Sequence, residues 1–140
     1  MSSDYPQALR SPQISASTFK VGYVTINANE VDIITPQSNA LYLESISVTF
    51  YTSADVEVPT ATLKVYLDIT NTSTPTITLT PSDLRTKAKI ASLGNFQLMS
   101  QSPGSITIQS INPVATSFLK ITGQGLSAGD KCYRIIVWRV

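Results

Sequence analysis

Two pairs of acidic residues are the arrangement in this chain that comes nearest to enzymatic chemistry. Glu30 is followed two positions later by Asp32, and Asp55 is followed by Glu57. Two carboxylates on one side of an extended segment could act as the acid and the base of glycoside hydrolysis. Without a ligand between them they would repel each other, and solvated loop acids explain the same spacing more simply. We therefore expect no enzymatic activity, and a hydrolase is the least favoured function.

Most other reactive arrangements are missing from the sequence. There is no histidine, which excludes Ser-His-Asp and Cys-His catalysis as well as zinc sites built from cysteine and histidine. Neither a glycine-rich phosphate loop nor an EF-hand calcium loop occurs. The single cysteine, Cys132, lies in a predicted strand, where a thiol behaves as a small buried hydrophobe. We expect neither a metal nor any other cofactor.

Sugar binding by a β-rich protein would require exposed aromatic rings that stack on the apolar faces of sugars. Tyr66 is out of phase with the apolar residues on either side of it, so the alternation predicts that its ring faces away from the core. It is therefore the best candidate for stacking on a ligand. Trp138 shares a strand face with Ile136, which favours a place in the core.

The charge distribution does not favour binding to nucleic acid or to membranes. The net charge is +1, and only 14% of the residues are charged. Arg85, Lys87 and Lys89 form the one basic cluster, and without an interleaved aromatic residue it is typical of a solvated helix face. No apolar window is long enough to span a bilayer, and no signal peptide is recognisable.

The elements that would position these residues are strands. Between residues 62 and 69, apolar and polar side chains alternate with the two-residue period of a half-buried strand, and similar runs recur along the chain. The alternation slips by one residue near Glu44 and Ser45, which predicts a β-bulge. The sequence from Thr80 to Asp83 is a helix-start signal and predicts one short helix near 81–93. Eight to ten strands at short spacing predict an all-β protein, a single jelly-roll-like β-sandwich.

Residues 1–17 differ from the rest of the chain, because two prolines and scattered serines leave neither a helical nor a strand period. They predict an extended N-terminal arm in front of a β-sandwich domain that spans residues 18–140. The spaced apolar side chains of Tyr5, Leu9 and Ile14 favour an arm that binds a partner. A disordered terminus would have the same composition.

Several of these features together resemble bacteriophage virion proteins, and in particular the decoration or cement proteins on the outside of capsids. Serine and threonine outnumber the charged residues, the arm carries spaced apolar side chains, and a glycine-rich turn at 125–130 precedes a strongly apolar last strand. The resemblance implies a non-enzymatic capsid decoration protein on the outer surface of the virion, made in the host cytoplasm. It also implies a homotrimer that clamps the major capsid protein or another virion protein.

A second function fits the same composition. A glycan- or receptor-binding β-sandwich module, on a phage tail tip or fibre or as a carbohydrate-binding module, would also be rich in strands and poor in charge.

The arm lacks the many basic residues that a protein lining a packaged genome needs, which argues against a genome-facing shell.

Overall fold

Two antiparallel sheets pack against each other in the computed structural model of this protein. The structure describes residues 17–36, 42–67, 74–86, 92–93, 96–115 and 119–139. The elements in chain order are β1 Ser17–Thr25, β2 Val31–Ile34, β3 Tyr42–Tyr51, β4 Thr62–Tyr66, β5 Ile77–Leu79, α1 Pro81–Thr86, β6 Ser92–Leu93, β7 Phe96–Met99, β8 Ser105–Ala115, β9 Lys120–Gln124 and β10 Lys131–Arg139.

The order of the strands is that of a jelly roll. The six-stranded sheet runs β1-β10-β3-β8-β7-β6, and the four-stranded sheet runs β2-β9-β4-β5. Apart from β6 and β7, the pairs are nested along the chain, because β1 pairs with β10, β2 with β9, β3 with β8 and β4 with β5. This is the pairing of one long hairpin, and rolling it up adds the contacts of β10 with β3 and of β9 with β4. The predicted all-β sandwich is therefore confirmed.

The core lies between the two sheets and is formed by their inward-facing residues. Ile46, Val48 and Phe50 of β3 are buried at alternate positions and belong to one apolar cluster with residues of the opposite sheet. Cys132 lies in the same cluster, and burial raises the pKa of its thiol to about 11, so the thiol stays protonated at neutral pH. The prediction that Cys132 is a buried residue is confirmed. Trp138 is partly buried and packs against this core.

The predicted β-bulge lies in β3. Two consecutive residues of β10 pair with Ser45 and Leu43, which leaves Glu44 as an extra residue on β3. Leu43 on one side of the bulge and Ile46 on the other both face the core. The extra residue is therefore the physical reason for the one-residue slip in the alternation.

Helix α1 begins where the sequence predicts it but is shorter than the predicted span. Thr80 Oγ1 accepts a hydrogen bond from the Asp83 N–H at 3.0 Å, and Asp83 Oδ2 accepts one from the Thr80 N–H at 2.9 Å, a reciprocal cap that fixes the start. α1 ends at Thr86, and Ser92–Leu93 form β6, because their backbone pairs with β7 in a hairpin. Residues 87–91 lie outside the described residues. In the part of the chain that the structure describes, no helix is long and apolar enough to cross a membrane.

Candidate interaction surface

The first predicted acid pair is divided between two environments. Glu30 accepts hydrogen bonds from Lys64 Nζ at 2.9 Å and from Thr122 Oγ1 at 2.7 Å, and these two contacts are the main cause of a pKa lowered to about 2. The hydroxyl of Tyr66 donates a third hydrogen bond at 2.9 Å. Asp32 is exposed on β2. These hydrogen bonds favour the ionised form of the Glu30 carboxyl group.

The second acid pair is divided in the same way. Asp55 forms an ion pair with Lys131 Nζ at 2.7 Å. Glu57 accepts hydrogen bonds from the Ser102 hydroxyl at 2.7 Å and from the Gly104 N–H at 2.9 Å, and these contacts, the hydroxyl first, lower the pKa of its carboxyl group. Glu30, Asp55 and Glu57 thus each have their own partners within the chain, whereas Asp32 is exposed.

Tyr66 does not have the exposed ring that the alternation predicts. It does point away from the main core, yet only 4% of its surface is accessible. Its hydroxyl bonds to Glu30, and the ammonium group of Lys120 lies 5.3 Å from the ring centroid. The prediction that Tyr66 offers a ring for stacking is therefore corrected, because its polar neighbours on the outer side of the four-stranded sheet enclose it. We call Glu30, Lys64, Tyr66 and Thr122 the Glu30 cluster.

The predicted arm is largely outside the structure. Tyr5, Leu9 and Ile14 lie outside the described residues, so their role stays a prediction. β1 begins at Ser17, which is one residue before the predicted start of the sandwich domain.

The predicted basic cluster and the question of a metal site can be addressed only in part. Arg85 is exposed in the last turn of α1, whereas the other two basic residues of the predicted cluster lie outside the described residues. Among the residues that the structure places, no three cysteine, aspartate or glutamate side chains come together as a possible metal site.

The outer side of the six-stranded sheet, which we call the six-stranded outer face, is uncharged over most of its area. Its apolar part lies on β1 and β10 and consists of Phe19, Val21, Tyr23, Tyr133, Ile135 and Val137. Next to it on β3 and β8 follow Ser45, Ser47, Thr49, Thr107 and Gln109. The outward-facing charged side chains of these four strands lie at its two ends, in the ion pairs of Lys131 with Asp55 and of Arg139 with Glu44.

The apolar part of this face is open to solvent. Phe19 is 66% exposed, Val21 55% and Tyr23 60%, and all three lie on one side of the same strand. Ile135, which pairs with Val21, is 38% exposed. Single exposed apolar residues are normal on a protein surface, but a contiguous group of large ones is typical of an interaction site.

Three tyrosines meet at one end of this face. The ring centroid of Tyr23 lies 4.9 Å from that of Tyr133 and 6.4 Å from that of Tyr51. The ammonium group of Lys131 is 4.9 Å from the Tyr23 ring centroid and also binds Asp55. Aromatic rings beside paired polar groups can contact either a protein partner or a sugar.

Strand β1 is the outermost strand of the six-stranded sheet. It has nine residues, and all of them pair with β10 on one side in an unbroken register. No described strand pairs with its other side. Strand β2 lies nearby, at the edge of the four-stranded sheet. A cleft of about 380 Å³ opens between β1 and β2.

The sequence of β10 contains a signal for this apolar surface, which the search for strands alone did not identify. β10 has apolar side chains on both of its faces, with Cys132 and Ile136 buried and Tyr133, Ile135 and Val137 directed outward. A strand of an antiparallel sheet with one solvated face should alternate between apolar and polar residues. β10 lacks this alternation, and its sequence therefore matches the apolar outer face that the structure shows.

The comparisons with known proteins leave the family of this chain open. A scan against models of protein families finds no match, and a search of curated proteins finds no match either.

Proposed function

We propose that this protein is a non-enzymatic structural protein of a virion, a decoration or cement protein that stabilises the outer surface of a capsid through protein–protein contacts. The observation that carries the proposal is the six-stranded outer face, where large apolar side chains and uncharged hydroxyl groups replace the usual charges. Hydroxyl and amide groups cost less to remove from water than charges do, so such a face suits a lasting contact with another protein.

The fold is compatible with this function. Jelly rolls occur in viral capsid proteins, and they also occur in lectins. A fold by itself does not determine a function, so the argument depends on the surface and not on the architecture. The proposed partner is the major capsid protein or another virion protein, and the proposed location is the outer surface of the particle. The trimer that the resemblance implies stays a prediction.

Binding to empty capsids of the virus that carries the gene tests the proposal. We expect wild-type protein to sediment with the capsids. Ile135→Lys should reduce the bound fraction about tenfold, because it places an unpaired charge at the centre of the contact. Val56→Lys is the matched control, since Val56 is 60% exposed in the turn after β3, outside the six-stranded outer face. Equal binding by both variants, or no binding by the wild type, would overturn the proposal.

A second candidate function is a glycan- or receptor-binding module, which the cluster of Tyr23, Tyr51 and Tyr133 favours. With Tyr66 enclosed, these three neighbouring rings form a group on the described surface that could stack on a sugar. A glycan array with the purified wild-type protein separates the two candidates. Saturable binding to one sugar, together with no sedimentation with capsids, would put the second candidate first.

A further inference from the structure

The free side of β1 is a long and poorly protected strand edge. Natural proteins usually guard such edges with proline, several charges or a bulge, because the unpaired N–H and C=O groups can pair with another strand. β1 contains no proline, its register with β10 is unbroken, and its one charged residue is Lys20. Phe19, Val21 and Tyr23 add exposed apolar side chains along the same edge.

We infer that β1 pairs antiparallel with β1 of a second copy of this chain, about a two-fold axis at Val21. This contact would join the two six-stranded sheets edge to edge and leave both six-stranded outer faces on the same side of one continuous sheet. The inference goes beyond the proposed function and does not depend on it, because it concerns the purified protein alone.

The length of β1 favours this register. The strand runs from Ser17 to Thr25, and Val21 is its midpoint. With Val21 on the axis, every residue of β1 has a partner in the other copy. A centre at any other residue would leave backbone groups at one end of each copy of the strand without a partner in the other copy.

The side chains of β1 are complementary to themselves in the same register. On the outer face, Phe19 of one copy lies opposite Tyr23 of the other, and Val21 lies opposite Val21, so that large apolar side chains meet. On the inner face, Lys20 lies opposite Gly22, so that the charges of the two copies do not meet. A shift that brings Lys20 opposite Lys20 would place two like charges side by side, which is destabilising.

Space and symmetry agree with this arrangement. A side-chain atom added at Gly22 would meet nothing within 4 Å, so the opposing Lys20 has room there. A contact between identical strands is isologous and closes at two copies. A second copy of the chain is therefore the partner that fits the free edge of β1. The competing occupants of this edge are a strand of another virion protein and the segment before Ser17.

Disulfide trapping in the full-length protein tests the register directly. In the inferred dimer, the two Cβ atoms at position 21 lie about 5 Å apart, close to the distance that a disulfide needs. We expect Val21→Cys to form a covalent dimer on mild oxidation, seen on a non-reducing gel. The native Cys132 is fully buried and does not compete.

Phe19→Cys is the matched control on the same strand. Phe19 is even more exposed than Val21, but the two copies of position 19 would be four residues apart, about 13 Å along the strand. We expect it to cross-link about tenfold more slowly than Val21→Cys, because that separation is too large for a disulfide. Equal rates for both variants, or no cross-link for either, would overturn the inferred register.

The mass in solution provides a measurement without a new cysteine. Light scattering at rising protein concentration should approach twice the chain mass of 15.1 kDa, and Val21→Lys should stay at the single-chain mass because two charges would meet on the axis. A mass of three chains would overturn the two-fold contact in favour of the trimer. A wild-type monomer at all concentrations would overturn the inferred dimer.

Discussion

The two outer faces of the sandwich meet the solvent in opposite ways. On the four-stranded sheet, Glu30 gathers Lys64, Tyr66 and Thr122, so the charges and the aromatic hydroxyl have partners within the chain. On the described part of the six-stranded outer face the ion pairs lie at the two ends, and the apolar residues on β1 lie open. The difference teaches that the polar groups of the Glu30 cluster are stabilised by contacts within the chain. A face of open apolar side chains and hydroxyl groups gains stability only when a partner covers it.

The largest difference between the two faces should appear when one tyrosine is removed from each. We expect Tyr66→Ala to lower the free energy of unfolding by about 3 kcal/mol, because it removes a buried ring and one hydrogen bond to Glu30. Tyr23→Ala should lower it by less than about 1 kcal/mol, because the Tyr23 ring is 60% exposed. Urea unfolding of dilute protein measures both values. Equal losses would mean that the two faces do not differ in the way described.

A smaller effect should follow from the acid titration of Glu30. Its folded-state pKa of about 2 lies below the ordinary value of 4.5, so its stabilisation is complete above pH 4.5 and is lost as the pH falls through about 2. The Glu30 carboxylate is one-third exposed, so solvent screens its contacts. We therefore expect its ionisation to contribute about 1 kcal/mol to the free energy of unfolding.

Glu30→Gln is the variant that isolates this titration. At pH 6 it should be less stable than the wild type by about 1 kcal/mol in urea unfolding, and the difference should shrink towards pH 2, since the wild-type carboxyl group then becomes protonated. A difference that stayed constant with pH would assign the loss to packing and not to charge.

The smallest effects should come from the lysines of the two faces. Lys64→Met removes the main hydrogen-bond donor of the Glu30 cluster and should cost about 0.5–1 kcal/mol at low salt. Lys131→Met, at the end of the six-stranded outer face, should leave the urea midpoint unchanged, because its partner Asp55 is 69% exposed and returns to water. Added salt should reduce the Lys64→Met effect, whereas a large effect of Lys131→Met would contradict the comparison.

The local elements of this fold could be predicted from the sequence because their causes are local. The bulge at Glu44 shifts the phase of its own strand, and the cap of Thr80 and Asp83 lies within four residues. The nested order of the strands could not be predicted, since it depends on pairings such as Ser17 with Arg139 that no local pattern encodes.

The candidate surface was harder to predict for the same reason. Alternation assigned Tyr66 to an outward position correctly, but its burial depends on Glu30 and Lys120, which are remote in sequence. Conversely, Phe19 and Val21 follow the normal alternation of a strand. No local pattern shows which of the two faces of that strand is covered. Only the packing of the two sheets decides which apolar row becomes the core and which remains open.

The nested pairing of the strands also sets the order of events during synthesis. β1 leaves the ribosome before the other described strands, and its partner β10 is the last of them to be made. At about 5–20 residues per second, β1 stays unpaired for several seconds while the intervening chain is translated. Closing a loop between the first and the last of the described strands is slow, so the six-stranded sheet is completed only after β10 has been made. During that interval the apolar strand β1 can bind chaperones or other nascent copies of the chain. We therefore expect aggregation of this protein to be strongest at high expression in a crowded cell.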